Sequence, residues 1–176
     1  MAIPEQRVIV ELDASHPELG RLLWMFQDTR ARTLAAVEKL DQATIDWICP
    51  GVENAIGSLL YHIALIEADY LYADILGTDY PSWLDDAFPW PDRDDQGHLS
   101  VVVGVPVVEH LARLLRVREE FIRLVSVLTP KQIAASRVPS ESGYEISPAW
   151  TLHHLMQHEA EHRGQIEAII TLQQAR

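Results

Sequence analysis

Four segments with helical periodicity place the strongest constraint on the fold of this chain. In each of them apolar residues recur every three or four positions, and Pro-, Gly- and Asp-bearing stretches separate them. They run from about Pro17 to Leu40, from Asn54 to Leu76, from Pro106 to Pro130, and from Ser147 to the end. Four amphipathic helices predict an all-α fold, a four-helix bundle with a long connection, residues 78–105, between helices 2 and 3.

Local signals predict where helices end and where they approach one another closely. Asp13 or Ser15 is expected to cap the first helix, and Gly77 to end the second. Gly57 and Gly164 lie inside predicted helices, where glycine costs about 1 kcal/mol relative to alanine. A close approach of neighbouring helices at both glycines would explain this cost.

Length and charge limit the classes of function. A chain of 176 residues fits a single domain, residues 1–176. Its net charge of −12 disfavours nucleic acid and anionic membrane surfaces as partners. No apolar run is long enough to span a bilayer and no secretory signal is apparent, so we expect a cytoplasmic protein. The single cysteine, Cys49, excludes an intrachain disulfide and a thiolate zinc cluster.

Two histidines interrupt the apolar stripe of the fourth helix. His158 and His162 are four residues apart, so they share one face with Leu155 and Ile166. Buried imidazoles cost free energy unless both ring nitrogens find partners, and a divalent metal satisfies one nitrogen of each ring. The alternative is a pair of core histidines bonded to neighbouring helices or to buried water.

A third histidine in the second helix completes a candidate metal site. His62 lies one turn from both Leu59 and Ile66, at the edge of the apolar face. Three imidazoles leave a coordination position open for water or substrate, as in catalytic sites. His154 is a hydrogen-bond partner of a ligand, an alternate ligand or a polar flanking residue. The other histidines show no partner pattern and are expected at the surface or in loops: His16, His98, His110 and His153.

The same helix also matches the H-E-x-x-H motif of zinc proteases, in residues 158–162. Its surroundings disfavour a protease, because Gly164 is one position short of the extended motif and Ala168 stands where a third histidine would fall. The sheet expected of such proteases is also missing. Glu159 remains a candidate catalytic base acting on metal-bound water, the alternative being a solvated charge on the helix.

The histidine pattern resembles that of the DinB/YfiT-like family. His62 within residues 60–64, and the terminal block of residues 158–166 with His158, His162 and the sequence Arg-Gly-Gln-Ile, carry the resemblance. Helix order and length agree over essentially the whole chain. One departure is Glu161, where many relatives have a further histidine, and we expect that side chain to point away from the metal.

The resemblance implies a four-helix bundle, often a homodimer, in which His62, His158 and His162 hold a divalent metal such as zinc or nickel. Relatives include transferases that use bacillithiol or mycothiol, and mycothiol-dependent maleylpyruvate isomerases. The implied function is a thiol-dependent S-transferase or a related hydrolase, acting on a small-molecule electrophile with a low-molecular-weight thiol. The alternatives are a metal-binding stress-response bundle without turnover and a purely structural bundle.

Two further features allow both a structural and a functional interpretation. Arg30 and Glu67 fall in or beside apolar stripes, so they form an interhelical ion pair, or Arg30 anchors an anionic substrate group. Residues 83–90 of the long connection form a lid over the metal end of the bundle, or simply cover exposed helix ends.

Overall fold

A computed structural model describes residues 8–48, 51, 54–138 and 143–175. The helices in this part of the chain are joined by irregular segments, and its β pairing is limited to isolated bridges between Arg93 and Leu99 and between Arg137 and Ile146. The four long helices are α1 (Pro17–Val37), α3 (Ile56–Asp69), α5 (Val107–Val125) and α7 (Pro148–Gln174). The short ones are α2 (Gln42–Ile45), α4 (Trp83–Ala87) and α6 (Pro130–Ala134), and α3 continues as a π-helical segment, Tyr70–Leu76. The prediction of an all-α fold is confirmed.

The helix ends follow local chemistry, with one correction. The cap of α1 is His16, whose Nδ1 accepts a hydrogen bond from the Leu19 N–H at 3.4 Å, and not Asp13 or Ser15. Pro17 occupies the first helical turn, which favours the residue directly before it as the cap. Gly77 ends the π-helical segment with φ 64°, a left-handed conformation that glycine adopts without steric cost, as predicted.

The core lies between the long helices, and α3 is central to it. Helix α3 packs against both α5 and α7, and α1 packs against α7. The rings of Phe26 on α1 and Phe121 on α5 lie 4.7 Å apart between their centroids. Other fully buried core side chains come from all four long helices and include Leu19, Leu23, Leu59, Leu60, Leu114, Leu152 and Ile166. Burial of these apolar side chains is the main favourable contribution to folding.

The connection between α3 and α5 is fastened to the helices at several points. The Arg116 guanidinium lies 4.1 Å from the ring centroid of Trp83. The Val102 N–H donates to Ser58 Oγ of α3 at 2.9 Å. Trp83 therefore lies against α5, whereas the later part of the connection crosses α3 close to His62.

The two helical glycines differ in their surroundings. A Cβ on Gly57 would lie 2.6 Å from the Val102 carbonyl oxygen and 3.2 Å from Nε2 of His110, so a close approach exists there. A Cβ on Gly164 would have no neighbour within 4 Å. The expectation of close packing at Gly164 is therefore wrong, because that face of α7 is open.

No helix in the part of the chain that the structure describes is long and apolar enough to cross a membrane. Cys49 lies outside the described residues.

Candidate metal centre

Three imidazoles from two helices meet at one point. Nε2 of His158 lies 3.0 Å from Nε2 of His62 and 3.1 Å from Nε2 of His162. One nitrogen from each ring lies within 4.8 Å of the others. The structure thus brings together all three histidines that were predicted from the sequence as metal ligands.

The local sequence explains this convergence. His62 occupies the middle of α3, where it is buried with 3% exposure between apolar turns. His158 and His162 stand on successive turns of α7, and both are half-buried. Leu155 and Ile166 pack into the core on either side of the pair and fix the rotation of α7, which directs both imidazoles towards α3.

The outer nitrogens of two rings have hydrogen-bond partners. Nδ1 of His62 lies 2.5 Å from Oδ1 of Asp92, in the connection, and Nδ1 of His162 lies 3.0 Å from Oε1 of Gln165. Carboxylate and amide oxygens accept, so both Nδ1 atoms donate and the Nε2 atoms keep free lone pairs. This is the tautomer that a metal-ligating imidazole requires.

The electrostatics of the cluster disfavour protonated imidazoles. Burial, followed by the neighbouring imidazoles, lowers the pKa of His158 to about 3, and burial also lowers the pKa of His162. Burial alone would raise the pKa of Asp92, but the hydrogen bond from His62 and the positive charge of Arg93 hold it below its ordinary value. The pKa shifts therefore favour neutral side chains at His158 and His162, beside the carboxylate of Asp92.

The donor set fits a divalent cation. Tetrahedral coordination with metal–nitrogen distances of ~2.0–2.1 Å separates ligand nitrogens by about 3.3 Å. The separations of 3.0 and 3.1 Å are close to that value. Three lone pairs directed at one another would repel without a cation or protons between them. This group of residues is therefore able to bind a metal ion.

His154 lies beside the triad without joining it. Its ring stacks on Trp150, with centroids 4.8 Å apart and planes 7° apart, and lies 6.1 Å from the ring of His158. Its other ring neighbour is Tyr70, the first residue of the π-helical segment. Of the roles left open for His154, this placement favours a flanking residue that walls one side of the triad.

Glu159 lies in a buried cluster of four charged residues. Its two carboxylate oxygens accept hydrogen bonds from Arg30 Nε at 2.7 Å and from Arg118 Nη2 at 2.9 Å. With 2% exposure it is not the solvated charge expected as an alternative. Burial alone would raise the pKa of Glu159, but the two guanidinium groups hold it below its usual range, which makes Glu159 a weak base.

The remaining contacts in this cluster show which groups the buried guanidinium of Arg30 binds. Arg30 Nη2 donates to Glu67 at 2.5 Å, which confirms the predicted ion pair, and Arg30 Nη1 donates to the Leu114 carbonyl at 2.7 Å. Arg118 also binds Glu67, through Nε at 2.7 Å. Because all three guanidinium nitrogens of Arg30 have protein partners, the structure favours the structural role over an anchor for substrate.

The expectation that His110 lies at the surface or in a loop is wrong. His110 lies in the first turn of α5 with 1% exposure, facing Gly57 of α3. His110 stands four residues before the buried Leu114, on the same stripe of α5, so the helical period could have indicated its burial.

Sequence reasoning missed three residues of the site and its support: Asp92, Gln165 and Arg118. Asp92 is one of six aspartates in an aperiodic connection, so no pattern distinguished it. Arg118 stands four residues after the buried Leu114, within an apolar stripe, so the argument applied to Arg30 would have found it.

Comparison with protein families gives a match over most of the chain. The family model described as DinB superfamily matches residues 25–166, well over half of the chain. The matched range contains all three histidines of the triad. None of the curated proteins with which the chain was compared matches it.

Proposed function

The chain belongs to the DinB superfamily, and from that premise we propose that it is a metal-dependent enzyme whose divalent ion is held by His62, His158 and His162. The observation that carries the proposal is the convergence of three Nε2 atoms. That of His158 lies 3.0 Å from Nε2 of His62 and 3.1 Å from Nε2 of His162. Three protein ligands leave a position for a reacting group. We take zinc or nickel as the ion, and the four long helices as a four-helix bundle.

The reaction that fits best is transfer involving a low-molecular-weight thiol of the mycothiol or bacillithiol type. When bound, the metal would lower the pKa of a coordinated thiol or water towards neutrality. The protein would contribute three neutral imidazoles that hold the ion. It would also contribute the carboxylate of Asp92, which accepts the hydrogen bond from Nδ1–H of His62. Since Cys49 is the only cysteine in the sequence, we take the thiol as a diffusible cosubstrate that attacks a small-molecule electrophile.

Metal analysis tests the first part of this proposal. Untagged protein purified without chelator should carry about one divalent ion per chain. His158→Ala should lose the ion, whereas His153→Ala, an exposed histidine of the same helix, should keep it. An unchanged metal content in His158→Ala would refute the assignment.

Turnover separates an enzyme from a metal-binding bundle that has no reaction. Metal-loaded protein should conjugate a thiol to a model electrophile faster than chelator-treated protein does. A hydrolysis assay without thiol, run in parallel, detects the related hydrolase. Equal rates with and without metal across a panel of thiols and electrophiles would favour the non-catalytic stress-response alternative. We further propose that the protein functions in the cytoplasm, that two copies pair as a homodimer, and that neither nucleic acid nor membrane is a partner.

A further inference from the structure

The long connection between α3 and α5 is anchored to α3 at Trp90, close to the triad. The Tyr61 hydroxyl donates to the Trp90 carbonyl oxygen at 2.6 Å and accepts from the Trp90 N–H at 3.0 Å. The two rings also make an edge contact, with centroids 5.6 Å apart. Tyr61 directly precedes His62, so the connection is fastened to α3 next to a metal-site histidine.

Two residues further along, the backbone and side chain of Asp92 are both held. The Ser100 N–H donates to the Asp92 carbonyl at 3.0 Å, and an isolated bridge joins Arg93 to Leu99. Arg93 Nε lies 3.2 Å from Oδ2 of Asp92, which leaves Oδ1 directed at His62. These contacts fix the position of the carboxylate before any ligand binds.

The Asp92–His62 contact decides which ring nitrogen of His62 carries the proton. Oδ1 of Asp92 lies 2.5 Å from Nδ1 of His62. An ionised carboxylate can only accept, so the proton stays on Nδ1 and Nε2 faces His158 with a free lone pair.

We infer that Asp92 is a positioning residue for the metal centre, which fixes the tautomer and ring orientation of His62. The inference rests on the proposed metal site and deepens it. His62 is the one ligand of the triad that α3 supplies, so its ring orientation sets the geometry between the helices. Substitution of the residue whose oxygen atom accepts a hydrogen bond from a ligating imidazole commonly weakens metal affinity about 10- to 100-fold. The neutral Gln165 beside His162 is a weaker acceptor than a carboxylate.

Zinc affinity, measured by competition with a chelating dye, tests the inference. Asp92→Ala should weaken zinc binding by about 10- to 100-fold, and Asp92→Asn by less, since an amide oxygen still accepts. Asp95→Asn is the matched control, because it removes the same charge from an exposed position of the same connection. It should change the affinity less than twofold, which separates positioning from general attraction of cations.

Nitrogen-15 chemical shifts of the imidazoles give a second measurement, in metal-free protein. In the wild type His62 should show a protonated Nδ1 and a bare Nε2, and in Asp92→Ala the two tautomers should mix. A loss of loop anchoring alone would not produce this signature. Tyr61→Phe, which removes the hydroxyl contact to Trp90, should leave the His62 tautomer unchanged.

The outcomes distinguish this inference from the proposed function. If the wild type binds no zinc, the metal site itself fails. If the wild type binds zinc and Asp92→Ala matches Asp95→Asn, the triad stands and the positioning role of Asp92 is wrong. If Asp92→Ala abolishes binding as completely as His158→Ala, Asp92 is a ligand and the inference is overturned in that form.

Discussion

Arg30 on α1 donates from Nε to Oε1 of Glu159 on α7 at 2.7 Å, although 129 residues separate the two in sequence. Arg118 on α5 and Glu67 on α3 complete the cluster, so each long helix contributes one charged residue. The four formal charges cancel. Each buried charge in the cluster is neutralised by its partners, so loss of a single member leaves an uncompensated charge in the core.

The first prediction concerns Glu159→Gln. Loss of the carboxylate charge leaves two guanidinium groups facing Glu67 alone, so we expect the free energy of unfolding to fall by about 3–5 kcal/mol. Metal content should stay at the wild-type level, because the triad is untouched. Urea denaturation and metal analysis of the same preparation measure both quantities.

Glu161→Gln serves as the control for that variant, since it removes an acidic charge from an exposed position of the same helix. Its stability should stay within about 0.5 kcal/mol of the wild type. A Glu159→Gln protein with wild-type stability and lost turnover would instead support the role of Glu159 as a catalytic base.

The second prediction contrasts the two helical glycines. Gly57→Ala should destabilise the fold by about 1–3 kcal/mol, because its Cβ would meet the Val102 carbonyl and His110. Gly164→Ala adds a methyl group in open space and should stabilise α7 by up to about 1 kcal/mol. Equilibrium denaturation of both variants measures the difference, and shifts of the same sign would contradict the packing described at Gly57.

The features predictable from the sequence were those that depend on one helix at a time. The apolar period predicted the four long helices, and the four-residue spacing placed His158 and His162 on one face. His62 was predicted because it sits at the edge of a second stripe. Each of these depends on helix geometry alone, which the chain specifies locally.

The missed features depend on contacts between elements that are distant in sequence. Asp92 reaches His62 because several contacts hold an aperiodic connection against α3, among them the Val102–Ser58 and Ser100–Asp92 hydrogen bonds. The role of Glu159 could not be predicted, because its arginine partners come from α1 and α5. Charged residues inside apolar stripes predicted the pair of Arg30 and Glu67, but not that Arg118 and Glu159 join the same cluster.

The third prediction concerns acid stability and begins from the environment of His110. Its Nε2 is buried and has no hydrogen-bond partner in the structure, next to Gly57. Burial, followed by the positive charge of Arg113, lowers the pKa of His110 to about 4, against the weaker opposing effect of Asp46. An unfolded histidine titrates near 6.5. Between these two pH values the unfolded chain binds the proton and the folded chain does not.

Stability should therefore be complete above about pH 6.5 and should fall as the pH decreases towards 4. This pKa difference lowers the free energy of unfolding by about 2–3 kcal/mol between pH 7 and pH 4.5. His110→Gln removes the titrating group, so its unfolding free energy should depend on pH less steeply than that of the wild type by about this amount.

Denaturant titrations at several pH values measure the pH dependence of the unfolding free energy of both proteins. The proteins are treated with chelator, so that His158 and His162 contribute equally to both. His153→Gln, at an exposed position of α7, should keep the wild-type slope. Parallel curves for His110→Gln and the wild type would show that His110 does not couple folding to protons.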